Sequence, residues 1–369
     1  MRIGVLRETA PHERRVALVP QSVPKLREAG HAVAIETGAG EAAFFPDAAY
    51  ATVGAGIGAR GEVLAGSEVL LAVQRPPLAD LQALPAGTAV IALFQPAGTR
   101  DYVAAANSRG LTLLAMELVP RISRAQTMDV LSSQATVAGY QAVLLGASHL
   151  ARLIPMLTTA AGTIPPGRVF VLGAGVAGLQ AIATARRLGA VVSAFDVRAA
   201  VQEQVQSLGA TFVEAGAVAG AAEDEGGYAR ELADDQQRKV LEAIGDELPG
   251  ADLVISTAQI PGKPAPRLIT REMVGRMKPG SVIVDLAAES GGNCELTRPG
   301  ETVVAGGVTI LAPSNLPSQI PQHASVMYSR NLQSLLGHLA KDGKLTIQLD
   351  DPITGPMCLA HGGTVPSGR

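Results

Sequence analysis

A glycine-rich segment near the middle of the chain has the spacing G-x-G-x-x-G, in which backbone groups bind the phosphates of a nucleotide. An apolar strand-like segment, RVFVL, precedes it, and a helical pattern follows it. The first glycine permits a tight turn, the second lets a pyrophosphate approach, and the third lets helix and strand pack closely. The pyrophosphate then lies at a helix N-terminus, which favours an anion. We predict a dinucleotide site at Gly173, Gly175, Val176, Ala177 and Gly178.

An acidic residue stands where such a site needs one. The strand-like segment VVSAFD ends at Asp196, 18 residues after Gly178. A carboxylate at this position accepts hydrogen bonds from the adenosine ribose and repels a 2′-phosphate, so it favours NAD(H) over NADP(H). Arg198 is close enough to serve a 2′-phosphate, but beside Asp196 we interpret it as the solvated start of a helix.

A second G-x-G-x-x-G occurs at 56–61. The segment AYATV before it is a poor strand, and no acidic residue ends a strand about 20 residues later. We interpret this stretch as a turn.

Strand-like and helix-like segments alternate along the chain, which indicates an α/β fold. Strands are predicted at 2–5, 32–36, 68–73, 88–93 and 112–116, a long helix at 127–152, and a connecting loop at TTAAGTIPPG. A second alternation begins at Arg168. The pattern predicts two Rossmann-like domains with parallel sheets and a cleft between them. We expect 1–130 plus 320–369 to form the first domain and 131–319 the second, NAD-binding one.

Composition narrows the class of protein. Hydrophobic residues make up 47% and charged residues 17% of the 369, a balance that favours packed cores over disorder. The net charge of −3 gives no electrostatic footprint for nucleic acid. The two cysteines and six histidines have no metal-ligand spacing, so no metal site is expected. The uncharged stretch 130–151 is too polar for lipid, and we expect a buried helix and no membrane insertion.

Six sequence motifs resemble those of the NAD(H)-binding alpha subunits of proton-translocating transhydrogenases. They are RRVALVP, TGAGEAA, MELVPRISRAQTMDVLSSQ, GAGVAGLQAIATARRLGA, ISTAQIPGKPAP and MKPGSVIVDLAAESGGN. The resemblance covers nearly the whole chain. Alanine dehydrogenase is the sister family, and the PRISRAQ segment marks the transhydrogenase branch.

The resemblance implies a set of site residues. It implies that Arg121, Gln126 and Asp129 position the nicotinamide, with Ser132 close behind, and that Tyr228 on a mobile loop closes over the nucleotide. The remaining implied nucleotide contacts are Asp196, Val197, Arg198, Thr257, Ala258, Gln259, Asp285 and Leu286.

The resemblance also implies an activity and partners. NADH would give a hydride to NADP⁺ on an NADP(H)-binding subunit, coupled to proton translocation by a membrane-spanning subunit. Direct hydride transfer between two nicotinamide rings requires positioning, with no general base or metal. A homodimer is expected, in the cytoplasm and peripheral to the inner membrane through its partners.

A soluble NAD-dependent alanine dehydrogenase is the alternative. That family uses a lysine and a histidine in its first domain to hold and protonate a 2-oxo acid. Gln74 occupies the position expected for the lysine, and 94–97 contains no histidine. Gln95-Pro96-Ala97 also replaces the His-Leu-Gly usual in transhydrogenases. Arg15 remains as a carboxylate contact or a structural residue.

Overall fold

A computed structural model describes residues 1–95, 99–215, 234–260, 263–341 and 343–365. The chain forms two compact units. The first consists of Met1–Gln134 with Pro317–Arg369, and the second of Ala135–Leu316. Each unit is an α/β domain around a mostly parallel sheet, as the sequence predicts.

The strands, in chain order, are β1 (Arg2–Val5), β2 (Ala32–Glu36), β3 (Gly56–Gly58), β4 (Val69–Gln74), β5 (Ala89–Leu93), β6 (Thr112–Ala115), β7 (Leu157–Thr159), β8 (Gly162–Ile164), β9 (Arg168–Leu172), β10 (Val191–Phe195), β11 (Thr211–Phe212), β12 (Leu253–Ser256), β13 (Val282–Asp285), β14 (Thr302–Ala305), β15 (Val308–Leu311), β16 (Ala340–Lys341), β17 (Lys344–Leu345) and β18 (Cys358–Ala360). The α-helices are α1 (Val23–Glu28), α2 (Asp47–Thr52), α3 (Arg60–Gly66), α4 (Leu78–Ala83), α5 (Arg100–Ser108), α6 (Val130–His149), α7 (Val176–Arg187), α8 (Gln202–Ser207), α9 (Asp234–Glu247), α10 (Arg271–Gly275), α11 (Pro321–Leu339) and α12 (Thr354–Met357).

The sheet of the first unit has the order β18-β6-β5-β4-β1-β2-β3 and is parallel except for β18. Its central strands are buried along their length because helices cover both faces. The tail joins this unit: α11 places Tyr328 and Leu332 in the same core as Ile3 and Val5. The Tyr328 hydroxyl donates to the carbonyl oxygen of Ala72 at 2.9 Å, so its polar end is satisfied.

The sheet of the second unit has the order β11-β10-β9-β12-β13-β15-β14, parallel except for β14. The strand order reverses at β9, which pairs with β10 on one side and β12 on the other. In open parallel sheets, ligands bind at such a switch point, beyond the carboxyl ends of the strands. The glycine-rich motif follows β9 directly, so the topology places it at this point.

Two segments interpreted as a turn or a loop are regular structure instead. At 56–61 the chain forms the edge strand β3 and then α3, whose start is capped by the Glu62 carboxylate accepting the Ala59 N–H at 2.9 Å. The stretch predicted as a connecting loop contains the antiparallel hairpin β7–β8, because β-branched Thr and Ile residues flank Gly162 at φ +115°.

The long helix is shorter and less buried than expected. Helix α6 begins at Val130, and Leu131 and Tyr140 on it are 42% and 41% exposed. The helix predicted to be buried is therefore only partly buried, because some of its side chains are exposed to solvent. Within the described residues, no helix is both long and apolar enough to cross a bilayer.

Candidate functional site

Steric contacts require two of the three motif glycines. Gly173 has φ +91°, and a β-carbon there would lie 2.7 Å from the Thr257 hydroxyl oxygen. A β-carbon at Gly178 would overlap the carbonyl oxygen of Gly173. The β9–α7 turn can therefore close only with glycine at both positions, as the motif predicts.

The middle glycine of the motif borders open space outside the turn. Gly175 is the N-cap residue of α7, and a β-carbon built on it would have no protein atom within 4 Å. The first turn of α7 contains no acidic residue, and Val176 is 40% exposed. The first N–H groups of a helix have no partner within it. This open helix start fits the pyrophosphate of a dinucleotide at Gly175, Val176 and Ala177.

Asp196 is joined to the glycine loop through its carboxylate. One oxygen, Oδ2, accepts the Ala174 N–H at 2.7 Å, and Oδ1 accepts the Arg198 N–H at 2.9 Å. The Arg198 guanidinium also donates to this carboxylate, from Nε to Oδ1 and from Nη2 to Oδ2, each at 2.9 Å. The Arg198 side chain is only 15% exposed, so the interpretation as a solvated helix start is wrong. Val197 between them is partly buried against the core.

The ends of β12 and β13 complete this edge of the sheet. The Thr257 hydroxyl lies 3.1 Å from the carbonyl oxygen of Gly173 and 3.2 Å from that of Leu172, so it ties β12 to the loop. Gln259 is exposed, and its Nε2 donates to the carbonyl oxygen of Leu286 at 3.1 Å. Thr257, Ala258 and Leu286 are half-buried. These four residues remain candidates for nucleotide contact.

Asp285 does not present its carboxylate to this edge. It is fully buried. Its oxygens accept the N–H groups of Ala287 and Cys294, each at 3.0 Å, and the Thr297 hydroxyl at 2.6 Å. The predicted direct contact with a nucleotide is therefore corrected: Asp285 holds the loop that follows β13.

Asn293 is a positioning residue that the sequence analysis missed. Its Oδ1 accepts the Ala258 N–H at 3.1 Å, and its Nδ2 donates to the carbonyl oxygens of Ala258 and Pro266, each at 2.8 Å. Asn293 is fully buried and fixes the backbone beside Gln259. A signal was present, because Asn293 ends the ESGGN run after a predicted strand, where polar residues bond to loops.

The segment expected to position nicotinamide lies in the first unit. Between Arg121 and Asp129 it forms a 3-10 turn, Ser123–Met128, anchored by the buried residues Ala125 and Met128. Arg121 and Gln126 are exposed.

Helix α11 and the start of α6 fix the end of this segment. Asn331 donates from Nδ2 to the carbonyl oxygen of Thr127 at 2.8 Å. Asp129 caps α6, because its carboxylate accepts the Ser132 N–H at 2.9 Å and hydroxyl at 2.6 Å. Asp129 and Ser132 are therefore already bonded to each other, and the exposed Gln126 lies just before them in the chain.

A buried polar cluster occupies the region where an alanine dehydrogenase would place its acid–base pair. Arg15 and Glu13 form a buried ion pair at 2.6 Å, and Gln74 donates from Nε2 to the same Glu13 oxygen at 2.9 Å. Glu8 accepts the N–H groups of Val73 and Gln74. The pKa of the Glu8 carboxyl is raised to about 8, mainly by burial and also by the nearby Glu13 carboxylate, against the lowering effect of the Val73 and Gln74 N–H donors. Gln74 cannot supply the proton that a lysine would.

Tyr228, which the resemblance places on a loop over the nucleotide, lies outside the described residues. Among the residues that the structure does describe, no cluster of acidic, histidine or cysteine side chains is suited to a metal ion.

The switch point, the glycine turn and the acid at the next strand define an α/β protein of the dinucleotide-binding class. Two family models cover the chain: the alanine dehydrogenase/PNT N-terminal domain matches residues 4–138, and the C-terminal domain matches 142–367. The chain belongs to the alanine dehydrogenase/PNT family, whose members are nicotinamide-nucleotide-binding oxidoreductases.

Similarity is higher on the transhydrogenase side of this family. The chain is 47% identical to an NAD(P) transhydrogenase subunit alpha chain of Rhodospirillum rubrum, over 99% of this chain and 97% of that protein. It is 30% identical to alanine dehydrogenase of Mycobacterium tuberculosis, over 100% and 95%. The solved structure of a transhydrogenase from Sinorhizobium meliloti superposes with a TM-score of 0.90 at 45% identity, covering 99% of this chain and 100% of that one. The predicted resemblance to transhydrogenase alpha subunits is confirmed.

Proposed function

We propose that this chain is the NAD(H)-binding subunit of a proton-translocating transhydrogenase, which passes hydride from NADH to NADP⁺ on a partner subunit. The observation that carries the proposal is the β9–α7 turn at the switch point, open at Gly175 and bonded to Asp196 through Ala174. The name of the Rhodospirillum rubrum relative supports the same assignment.

Each group of residues has a distinct task in this proposal. The N–H groups at the start of α7 bind the pyrophosphate, and Asp196 accepts hydrogen bonds from the adenosine ribose. Arg121, Gln126 and Asp129 position the nicotinamide. Bound NADH supplies the hydride. Hydride transfer requires the donor and acceptor carbon atoms of the two nicotinamide rings to lie at near-attack distance, so these side chains act by aligning the rings.

The proposal includes partners and a location. The chain contributes the NAD(H) site, and we assign the NADP(H) site and the proton channel to other subunits, as the words "subunit alpha" in the relative's name suggest. We propose a homodimer that lies in the cytoplasm and is peripheral to the inner membrane through these subunits. The chain alone is expected to bind NAD(H) and to catalyse little.

Alanine dehydrogenase activity is the less supported alternative. It would require a proton donor for the 2-oxo acid, and Gln74 supplies only an amide, already bonded to Glu13. Arg15 is 3% exposed and neutralised by Glu13, and its Nη1 donates to Gln134 at 2.8 Å. This cluster is closed by its own contacts and offers no open cation to a substrate carboxylate.

Two measurements on the purified chain test the proposal against this alternative. Calorimetry with NADH should give one site per chain, and a spectrophotometric assay with NAD⁺ and L-alanine should stay flat. Turnover of even a few per second, an ordinary enzyme rate, would favour the dehydrogenase. Absence of NADH binding would refute the proposed site.

A further inference from the structure

The carboxylate of Asp196 is fully occupied by protein donors in this structure. A carboxylate offers about four acceptor positions. Four donors fill them here: the N–H groups of Ala174 and Arg198, and Nε and Nη2 of the Arg198 guanidinium. No acceptor position of the Asp196 carboxylate remains for the two hydroxyls of an adenosine ribose unless one of these donors withdraws.

Of these donors, only the guanidinium can withdraw without moving the backbone. The Ala174 N–H belongs to the glycine turn, two residues after the end of β9, and the Arg198 N–H lies three residues after the end of β10, the strand that pairs with β9. The guanidinium is at the end of a flexible side chain. Its two bonds to Asp196 form a bidentate pair between side chains that are 6% and 15% exposed, which makes the pair strong. Arg198 therefore competes with the ribose for the same oxygens.

The pair also changes the charge that a nucleotide meets. An unpaired Asp196 would repel the 2′-phosphate of NADP(H), whereas the Asp196–Arg198 pair is neutral as a whole. A guanidinium released from Asp196 is in turn a bidentate ligand for a phosphate. One side chain thus opposes the binding of NADH and reduces the repulsion of NADPH.

We propose that Arg198 is a specificity-determining residue, which lowers the preference for NAD(H) over NADP(H) by occupying and neutralising Asp196. This inference rests on the proposed NAD(H) site. It differs from a role as an ordinary nucleotide contact, in which the side chain would strengthen the binding of both nucleotides alike.

Substitutions at Asp196 and Arg198 distinguish the specificity-determining role from an ordinary contact, because the two roles predict opposite changes in NADH affinity. Arg198→Ala should bind NADH at least as tightly as the wild type and NADPH more weakly. The ratio of the Kd for NADPH to the Kd for NADH should rise at least about tenfold, as expected for the loss of one charge-assisted hydrogen bond. Asp196→Asn should gain about tenfold or more in NADPH affinity, because the guanidinium becomes available to the 2′-phosphate. The double variant should lose that gain.

The experiment is calorimetry of the full chain with NADH and with NADPH at one fixed salt concentration. Arg198→Gln, which can still donate to Asp196, serves if Arg198→Ala does not fold, and it should change the ratio in the same direction. Arg187→Ala removes an exposed positive charge at the other end of α7 and should leave the ratio unchanged.

Three other outcomes would overturn these assignments, and they are distinguishable. If the wild type binds NADH but Arg198→Ala weakens both nucleotides equally, Arg198 is an ordinary contact and this inference is wrong. An absent NADPH gain in Asp196→Asn also overturns it. If the folded wild type binds no NADH, the proposed site itself fails.

Discussion

Replacing Gly175 by alanine separates the folding of the nucleotide loop from its binding of a pyrophosphate. The added methyl group would meet no protein atom within 4 Å, and the backbone φ of −72° is one that alanine adopts. Substitutions without steric or polar conflict usually change stability by less than about 0.5 kcal/mol. We therefore expect the thermal midpoint to stay within about 2 °C of the wild type.

Binding should respond very differently. The methyl group stands where phosphate oxygens must approach the N–H groups of Val176 and Ala177. A hydrogen bond to a charged group contributes about 1.5–3 kcal/mol. Losing one or two of them should cost about 3 kcal/mol, which corresponds to a Kd for NADH roughly 10²-fold higher.

The matched control lies in the other G-x-G-x-x-G segment. Gly61→Ala also places its β-carbon where no protein atom lies within 4 Å, in helix α3 of the first unit. Calorimetric titration with NADH should show wild-type affinity for Gly61→Ala and the large loss for Gly175→Ala alone. A folded Gly175→Ala variant with wild-type affinity would refute the placement of the pyrophosphate.

Three further predictions concern stability. The raised pKa of Glu8 means that the folded state favours the protonated carboxyl. The contribution of Glu8 to the free energy of unfolding is therefore fully present below the ordinary pKa of 4.5 and is lost as the pH rises through about 8. Urea unfolding should show that the free energy of unfolding of the wild type falls by at most about 1.4 kcal/mol between pH 6 and pH 7. Glu8→Gln should lack this fall. Asp129→Ala removes the cap of α6 and should cost about 1 kcal/mol, whereas Asp129→Asn should cost a few tenths; equal losses would contradict the capping role. Asn293→Ala leaves the N–H and C=O of Ala258 unpaired and should lower the free energy of unfolding by about 2–4 kcal/mol; a variant as stable as the wild type would contradict that positioning role.

The sequence predicts the features that depend on short segments. The glycine turn could be predicted because the steric contacts that require glycine at 173 and 178 arise largely within the turn itself. The alternation of buried strands and helices likewise reveals two α/β units. The hairpin β7–β8 was missed because each of its strands has only three residues, all exposed, so no buried face marks them in the sequence.

Side-chain direction could not be predicted, because it depends on donors that no short pattern specifies. Asp196 and Asp285 both follow or end a buried strand, yet Asp285 is turned inward by donors up to 12 residues along the chain. Arg198 two residues after Asp196 has the same sequence signal whether it is solvated or folded back onto the carboxylate. The contact of Asn331 with Thr127 spans 204 residues, and no local pattern reveals it.

Single-turnover hydride transfer tests the central claim most directly. The chain is mixed with NADH and with a purified NADP(H)-binding subunit loaded with NADP⁺, and NADH affinity is measured in parallel. The matched variant is Gln126→Asn, which keeps the amide and shortens an exposed side chain by one methylene.

We predict rapid transfer by the wild-type pair. In Gln126→Asn, NADH affinity should stay within a few-fold while transfer slows roughly 10²-fold, because a misplacement near 1 Å costs about that much. The loss then belongs to the chemical step. Absence of transfer by the wild-type pair would contradict the proposed function, and transfer at the wild-type rate by Gln126→Asn would contradict the positioning role of Gln126.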